Sequence, residues 1–332
     1  KASHGAFRLG ARNRDGQVVP IPDCLVNTPE LNELTKRITY LANELQIFPY
    51  TTEKPSGLRY VVLRQSKSSG KLLITLIATQ RTRFLEAFAD RICSLPFNIK
   101  GVMLHINNEQ GNAIFTRDDR GAVRYQKLEG SAKITDEING LHYELGPGDF
   151  FQVNPFIAAS LQQDVIEASK DFVGHPMIDL YSGVGFFTSA LAREHGWAMG
   201  IEENASAVAR AKISAENNRV MVEFRIGEVI EELFDLDKAL NGASPCFIVD
   251  PARRGLEEGV IDEMLSQKPA GIIYVSCSPR TLARDLEIFQ QRKWTVQKIQ
   301  VYDMFPQTVH LEAMVVLRPP KFALRQFFLC VC

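Results

Sequence analysis

The second half of the chain alternates short apolar segments with helical segments, and a polar side chain lies at the end of each apolar segment. Residues 204–217 form the clearest of the predicted helices. Strand, helix and strand repeated in this way predict an α/β fold with a parallel, doubly wound sheet. The predicted strand ends carry Asp179, Glu202, Glu228, Asp250 and Cys277. Open α/β sheets keep their chemistry at such ends, so we expect a functional site there, although a single acid at this position often only caps the next helix.

Cys277 is the most informative of these side chains because of the segment in which it lies, Ser276-Cys-Ser-Pro-Arg-Thr-Leu-Ala-Arg-Asp285. Residues 271–275 are predicted to form a buried strand, and residues 279–285 the first turns of a helix. A helix N-terminus nearby lowers a thiol pKa and favours the thiolate, which predicts a nucleophilic cysteine. A lone cysteine is more often a small apolar core residue, so this interpretation depends on the surrounding motifs.

A glycine turn follows the apolar segment that begins at Met177. Gly183 and Gly185 would let the backbone approach a ligand closely, but the third glycine of the dinucleotide fingerprint is absent. Asp179 would repel a pyrophosphate, whereas it could accept a hydrogen bond from an ammonium group. Glu202, nineteen residues after Gly183, is suited to a ribose diol. S-adenosylmethionine carries an ammonium and a ribose without a phosphate, so this pattern favours it over NAD.

Four segments, in this order along the chain, resemble the RNA (uracil-5-)-methyltransferase family, whose members methylate uridine in the T-loop of tRNA or in 23S ribosomal RNA. They are Phe150-Phe-Gln-Val-Asn154, Asp250-Pro-Ala-Arg253, Ser276-Cys-Ser-Pro-Arg-Thr-Leu-Ala-Arg-Asp285 and Asp303-Met-Phe-Pro-Gln-Thr-Val-His-Leu-Glu-Ala-Met314. The resemblance is close over residues 149–317 and looser over residues 10–145. It implies a Rossmann-like class I methyltransferase domain that uses S-adenosylmethionine.

The resemblance also assigns catalytic roles. Carbon 5 of uracil is a poor nucleophile until a thiolate adds at carbon 6, and covalent catalysis of this kind divides one difficult step into easier ones. By resemblance Cys277 is that nucleophile, and Glu312 is the base that removes the carbon 5 proton. Glu312 interrupts the apolar run 309–317, which predicts a partly buried carboxyl with a raised pKa. Asp250 is assigned by resemblance to the space between cofactor and base.

The remaining expected cofactor contacts come partly from the resemblance. Gln152 resembles the cofactor-contacting glutamine of the family. The alternative is that Gln152 is an ordinary loop residue whose amide binds no ligand. Tyr181 is expected near the adenosine or methionine part, and Glu228 is expected to accept from the adenine amino group. The full expected set is Gln152, Tyr181, Gly183, Gly185, Glu202, Glu228 and Asp250, and no metal site is expected.

The first half is predicted to be a smaller α+β domain, with strands at residues 59–63, 72–79 and 101–107 and a helix at 82–92. Gly146-Pro-Gly-Asp149 is a natural boundary, so we expect an RNA-binding domain over 1–145 and a methyltransferase domain over 146–332. Residues 54–100 contain nine basic and two acidic side chains. Such a segment favours phosphate contact, or it is simply a solvated face.

The sequence departs from the family in two respects. Many members begin with a small RNA-binding β-barrel, for which this chain leaves no room. Many also hold an iron–sulfur cluster on four cysteines, of which only Cys24 has a counterpart here. We therefore expect no cluster, the chain being either from a cluster-free branch or a fragment. The six cysteines show no framework spacing, which favours reduced thiols.

Taken together, the residues predict methyl transfer to carbon 5 of a uridine in structured RNA, with 23S rRNA ranked ahead of tRNA. Loop or unstacked uridines are the expected targets because a paired base must first be flipped out. The alternatives are a cytosine methyltransferase that uses the same covalent chemistry and a non-catalytic RNA-binding protein. The net charge of −1 does not by itself indicate nucleic acid. No apolar run of spanning length occurs, so no transmembrane helix is expected. Reduced thiols favour the cytoplasm, and a monomer without an obligate protein partner is the default expectation.

Overall fold

The computed structural model describes residues 7–13, 17–51, 54–119 and 121–320; the apolar segment 322–332 lies outside these residues. The chain divides into two compact units. The first unit contains the described residues up to Pro155, together with Gly183–Phe186 and Glu203–Arg219. The second contains Phe156–Ser182, Phe187–Glu202 and the described residues from Val220 onward. None of the helices in the described ranges is long and apolar enough to cross a membrane.

The secondary structure begins with two short strands and then alternates strands with helices. The strands are β1 (Gly10–Arg12), β2 (Val18–Pro20), β3 (Leu58–Gln65), β4 (Leu72–Ala78), β5 (Ile99–Ile106), β6 (Gln126–Gly130), β7 (Ile134–Ile138), β8 (Leu141–Leu145), β9 (Met177–Leu180), β10 (Ala198–Glu202), β11 (Val222–Ile226), β12 (Cys246–Val249), β13 (Gly271–Ser276), β14 (Thr295–Tyr302) and β15 (Glu312–Arg318). The helices are α1 (Pro29–Glu44), α2 (Arg83–Cys93), α3 (Pro155–Ser169), α4 (Phe186–His195), α5 (Ala205–Asn218), α6 (Val229–Phe234), α7 (Leu236–Ala239), α8 (Val260–Ser266) and α9 (Pro279–Gln291), with a 3-10 turn at Lys170–Phe172.

The first unit contains a four-stranded sheet in the order β3-β4-β5-β6. The β4–β5 pair is parallel, and the two outer pairs are antiparallel. Helices α1 and α2 contribute Leu34, Ile38 and Phe88 to a core shared with this sheet, and each helix begins at a threonine whose hydroxyl caps a free amide. The strands and the helix predicted for this half are confirmed, with ends that differ by one or two residues.

The second unit contains a seven-stranded sheet in the order β11-β10-β9-β12-β13-β15-β14. The strands β9 to β13 are parallel, whereas β15 is antiparallel to both β13 and β14. The strand order reverses between β9 and β12, and ligands of open α/β sheets bind outside such a switch point. The predicted Rossmann-like α/β fold is confirmed. The antiparallel direction of β15 was not predicted, because an apolar run does not reveal its direction.

Candidate active site

The three predicted catalytic residues lie at the ends of three adjacent strands of the second unit. Asp250 directly follows β12, and Cys277 directly follows β13. The antiparallel register pairs Ser276 of β13 with Ala313 of β15. One residue further along, that register sets Cys277 opposite Glu312, the first residue of β15. The proposed nucleophile, just after the end of β13, and the proposed base, at the start of β15, therefore lie opposite each other at one edge of the sheet.

Glu312 is a buried carboxyl with an incomplete set of hydrogen bonds. Its side chain is 3% exposed, and its Oε1 has no hydrogen-bond partner among the described residues. Burial raises the pKa of Glu312 to about 7, against a smaller lowering by the Arg253 guanidinium. The expected buried carboxyl with a raised pKa is confirmed. Such a group can take up and release a proton near neutral pH.

Cys277 is a half-buried free thiol. Burial raises its pKa, the charges of Glu312 and Asp250 raise it further, and Arg253 lowers it. The net pKa of this thiol is therefore raised, whereas the helix N-terminus alone was expected to lower it, because desolvation and two nearby carboxyls raise it. Protonation of those carboxyls removes their repulsion, so the thiolate forms most readily when they carry protons.

Hydrogen bonds donated by backbone amides fix both Asp250 and the turn after Cys277. The amide of Asp250 donates to the carbonyl of Leu180 over 3.5 Å, and burial followed by the charge of Glu312 raises the pKa of Asp250 well above its ordinary value. The amide of Ser278 donates to Ser276 Oγ over 3.2 Å. Pro279 is the first residue of α9, where its missing N–H costs nothing and its fixed φ suits a helix start.

Asp179, in β9, is the other buried acid at this edge of the sheet. It is 1% exposed; Thr188 Oγ1 donates to its Oδ2 over 2.6 Å, and its Oδ1 has no partner among the described residues. Burial raises the pKa of Asp179 to about 7, and the charges of Asp250 and Glu202 add to that effect. A buried acid with one oxygen unsatisfied fits a cationic group and excludes a phosphate. Sequence reasoning noted this acid but left it out of the expected cofactor contacts.

The other expected cofactor contacts of the second unit differ in exposure. Tyr181 follows β9 with φ of 63°, a region rarely adopted by residues other than glycine. The register that pairs Leu180 with Val249 sets Tyr181 beside Asp250, and the Tyr181 hydroxyl donates to the Glu257 carboxylate. Two further acids end or follow strands: Glu202 of β10 is half-buried, and Glu228, just before α6, is exposed.

Gln152 and Gly185, in the first unit, each adjoin one aromatic cluster. Gln152 is 8% exposed and follows Phe151. The rings of Tyr143, Phe151 and Phe186 pack with centroids 5.4 to 5.7 Å apart. The Tyr143 hydroxyl also donates to the carbonyl of Phe186, the residue after Gly185, over 3.1 Å. This cluster fixes the local positions of both residues.

The glycine turn has the backbone that its sequence predicts. Gly183 and Gly185 have φ of 54° and 78°, where a side chain would be strained. Among the described residues, no heavy atom outside Gly183 and its two chain neighbours lies within 4 Å of the position that a Cβ would occupy at Gly183. There is therefore space on the side of the turn where a side chain would otherwise lie.

The sequence does not reveal the contacts of the two arginines in the loop after β12. By sequence alone, Arg253 and Arg254 fit phosphate contacts and solvated cations equally well. Arg254 is bonded to Glu257 over 2.7 Å, whereas the charge of exposed Arg253 acts on both Cys277 and Glu312. Nothing in the sequence pattern pairs this loop with α9, because the partners are about thirty residues apart.

A mostly parallel sheet with polar side chains along its switch-point edge defines this protein as having the Rossmann-like methyltransferase fold. A family model described as tRNA (uracil-5-)-methyltransferase matches residues 65–319, and the chain belongs to this family.

Two curated relatives and one solved structure illustrate the family. An uncharacterized RNA methyltransferase of Halalkalibacterium halodurans is 29% identical over 309 residues, which cover 92% of this chain and 66% of the relative. One of Streptococcus pyogenes serotype M18 is 31% identical over 312 residues, which cover 92% and 65%. The chain thus spans 65–66% of the length of these relatives. The Pyrococcus abyssi tRNA (uracil-54, C5)-methyltransferase, in complex with S-adenosyl-L-homocysteine, has a TM-score of 0.73 and 27% identity, covering 92% of this chain and 71% of its own.

Proposed function

We propose that this protein transfers a methyl group from S-adenosylmethionine to carbon 5 of a uridine in structured RNA through a covalent cysteine–uracil adduct. The observation that carries the proposal is the facing pair of Cys277 and Glu312 beside Asp250, at the edge of the sheet where such folds bind ligands. Membership in the tRNA (uracil-5-)-methyltransferase family supports the same reaction.

Each side chain has a defined task in this reaction. The Cys277 thiol loses its proton to solvent, and the thiolate sulfur bonds to carbon 6 of uracil, so that an electron pair moves toward the carbonyl at carbon 4 and carbon 5 becomes nucleophilic. S-adenosylmethionine supplies the methyl group. Glu312 as carboxylate then takes the proton from carbon 5, and the sulfur–carbon 6 bond breaks to release the thiolate. Asp250 hydrogen-bonds the edge of the uracil and orients it.

The cofactor contacts proposed are those expected from sequence, with Asp179 added. The unsatisfied Oδ1 of buried Asp179 suits the ammonium of the methionine part. Half-buried Glu202 suits the ribose diol. The other contacts proposed are Gln152, Tyr181, Gly183, Gly185, Glu228 and Asp250.

The RNA substrate is proposed at two levels. A structured RNA is supported by the family and by the solved relative, whose substrate is uracil 54 of a tRNA. The sequence-based ranking put 23S rRNA ahead of tRNA, so both are candidates. The proposal includes RNA contact by residues 1–145, catalysis by residues 146–332, and a monomer in the cytoplasm.

The test is methyl transfer from tritiated S-adenosylmethionine to unmodified tRNA and 23S rRNA transcripts, assayed separately. We expect label on carbon 5 of one uridine, its loss in Cys277→Ala and its retention in Cys93→Ala, which changes another free, half-buried thiol. Label on cytosine would overturn the proposal in favour of a cytosine enzyme. Cofactor binding without label on either RNA would overturn it in favour of a non-catalytic RNA-binding protein.

A further inference from the structure

The loop that follows β12, residues 250–256 (the 250–256 loop), is fastened to α9 by a buried carboxylate. Asp285 of α9 is 1% exposed. Its Oδ2 accepts from the Tyr274 hydroxyl over 2.7 Å and from the amide of Leu256 over 3.0 Å. Its Oδ1 accepts from Arg284 Nε over 2.7 Å. A charge this deeply buried is stable only with such a set of donors.

Two further hydrogen bonds fasten the same loop to the same helix. Arg284 Nη2 donates to the carbonyl of Leu256 over 3.0 Å, and Thr281 Oγ1 donates to the carbonyl of Arg253 over 3.1 Å. The loop approaches α9 so closely at Gly255 that an added Cβ would lie 2.7 Å from both Arg284 Nη2 and Asp285 Oδ2. These hydrogen bonds and the close approach at Gly255 therefore fix the backbone of the loop against α9.

This attachment determines where Arg253 lies. Thr281, which bonds the Arg253 carbonyl, is in the first turn of α9 and also lies 3.2 Å from the carbonyl of Ser278, the residue after Cys277. The charged groups that act on the Cys277 thiol are Glu312 of β15 and Asp250 and Arg253 of the 250–256 loop. Arg253 is the cation of this set, and it favours the ionised forms of both Cys277 and Glu312.

We propose that Asp285 is a positioning residue, which fixes the 250–256 loop on α9 and thereby holds Arg253 beside the turn that carries Cys277. Asp285 touches no reacting atom and acts through Arg253. The inference rests on the proposed function for its role in methyl transfer, but the thiol chemistry that it predicts needs neither RNA nor cofactor.

The test is the rate at which iodoacetamide alkylates Cys277, measured by peptide mass spectrometry as a function of pH. In Asp285→Asn, Asn keeps an acceptor for Tyr274 and Leu256 but presents an amide N–H toward Arg284. We expect alkylation at pH 7 to be about threefold slower, because an exposed cation has only a screened effect on its neighbour, with the inflection moved to higher pH. Arg253→Gln should give the same change, and the double variant should show no further change.

Three controls separate positioning from general loosening of the structure. Asp262→Asn removes an exposed aspartate of α8, ion-paired with Arg292, and should leave the Cys277 profile unchanged. Cys93 of the first unit, read from the same samples, should keep its rate in every variant. Thr281→Val removes the hydrogen bonds of Thr281 Oγ1 to the carbonyls of Arg253 and Ser278, and should slow alkylation of Cys277 by a smaller factor in a fully folded protein.

The inference would be overturned if folded Asp285→Asn kept the wild-type profile, or if its effect and that of Arg253→Gln multiplied in the double variant. Should Asp285→Asn not fold, an unchanged profile in Thr281→Val would overturn it instead. Failure of the methylation assay together with the expected alkylation profiles would count against the proposed function alone.

Discussion

Two carboxyls of the second unit are almost equally buried and have opposite surroundings. Asp285, on α9, is 1% exposed and accepts from a hydroxyl, a backbone amide and a guanidinium. Glu312, at the start of β15, is 3% exposed and has one oxygen without a partner among the described residues. The carboxyl that fastens the 250–256 loop is supplied with donors, whereas the proposed proton acceptor has one oxygen without a donor among the described residues.

Asp179 extends the comparison along the switch-point edge. It too has a buried oxygen without a partner in the described residues, and its pKa is raised to about 7 by burial. Unsatisfied buried groups cost stability, so they persist where function requires them. In the described residues, Asp179 and Glu312 at this edge of the sheet therefore lower the stability of the fold, because each has a buried oxygen without a donor. Asp285 of α9 does not have this cost.

The largest expected effect comes from removing Glu312, the proposed proton acceptor. Glu312→Gln should slow turnover about 10² to 10⁴-fold, the usual contribution of a positioned base, while Cys277 still adds to uracil. The covalent RNA adduct should therefore accumulate, as seen on a denaturing gel with labelled RNA. Glu287→Gln, a change at an exposed acid of α9, is the matched control. Prompt release of the adduct by Glu312→Gln would contradict the assigned role.

The next effect is on the free energy of unfolding, which should fall when Asp285 is replaced and rise when Glu312 is replaced. Asp285→Asn removes a buried charged acceptor, whose ion-pair partner Arg284 is itself half-exposed, and should lower the free energy of unfolding by about 2 kcal/mol. Glu312 has a folded pKa of about 7 against an ordinary 4.5, so between these values the folded state holds a proton that the unfolded state has lost. Wild-type stability therefore falls as pH rises through this window.

Glu312→Gln removes that pH-dependent cost. It should be more stable than wild type by up to about 3 kcal/mol at pH 8, and the difference should vanish as the pH falls to about 4. Urea denaturation at several pH values measures both variants. A Glu312→Gln variant less stable than wild type at pH 8 would show that the unsatisfied oxygen has been misidentified.

The smallest expected effect concerns cofactor binding. Asp179→Asn should weaken binding of S-adenosylhomocysteine about tenfold, because a charge-assisted bond to the ammonium becomes a neutral one. Glu228→Gln should weaken it less than about threefold, since an exposed acid gains little from a neutral hydrogen bond to adenine. Calorimetric titration of both variants makes this comparison, and equal losses would remove the distinction between the buried and the exposed acid.

Local patterns in the sequence were sufficient for the α/β architecture and for the strand ends that carry Asp250 and Cys277. Alternation of apolar segments and helices depends on neighbouring residues, so a sequence shows it directly. The burial of Glu312 was also readable, because the acid interrupts an apolar run. Its position opposite Cys277 was not, since the direction of β15 depends on the path of the chain.

The sequence by itself determined the Rossmann-like fold, the family and the residues at the strand ends. Only the tertiary structure decided the surroundings of those residues: the raised pKa of the Cys277 thiol, the unsatisfied oxygens of Asp179 and Glu312, and the attachment of the 250–256 loop to Asp285. The physical reason is the separation along the chain over which each property acts. Apolar periodicity is a local property, whereas desolvation and charge depend on residues that folding brings together from distant parts of the chain.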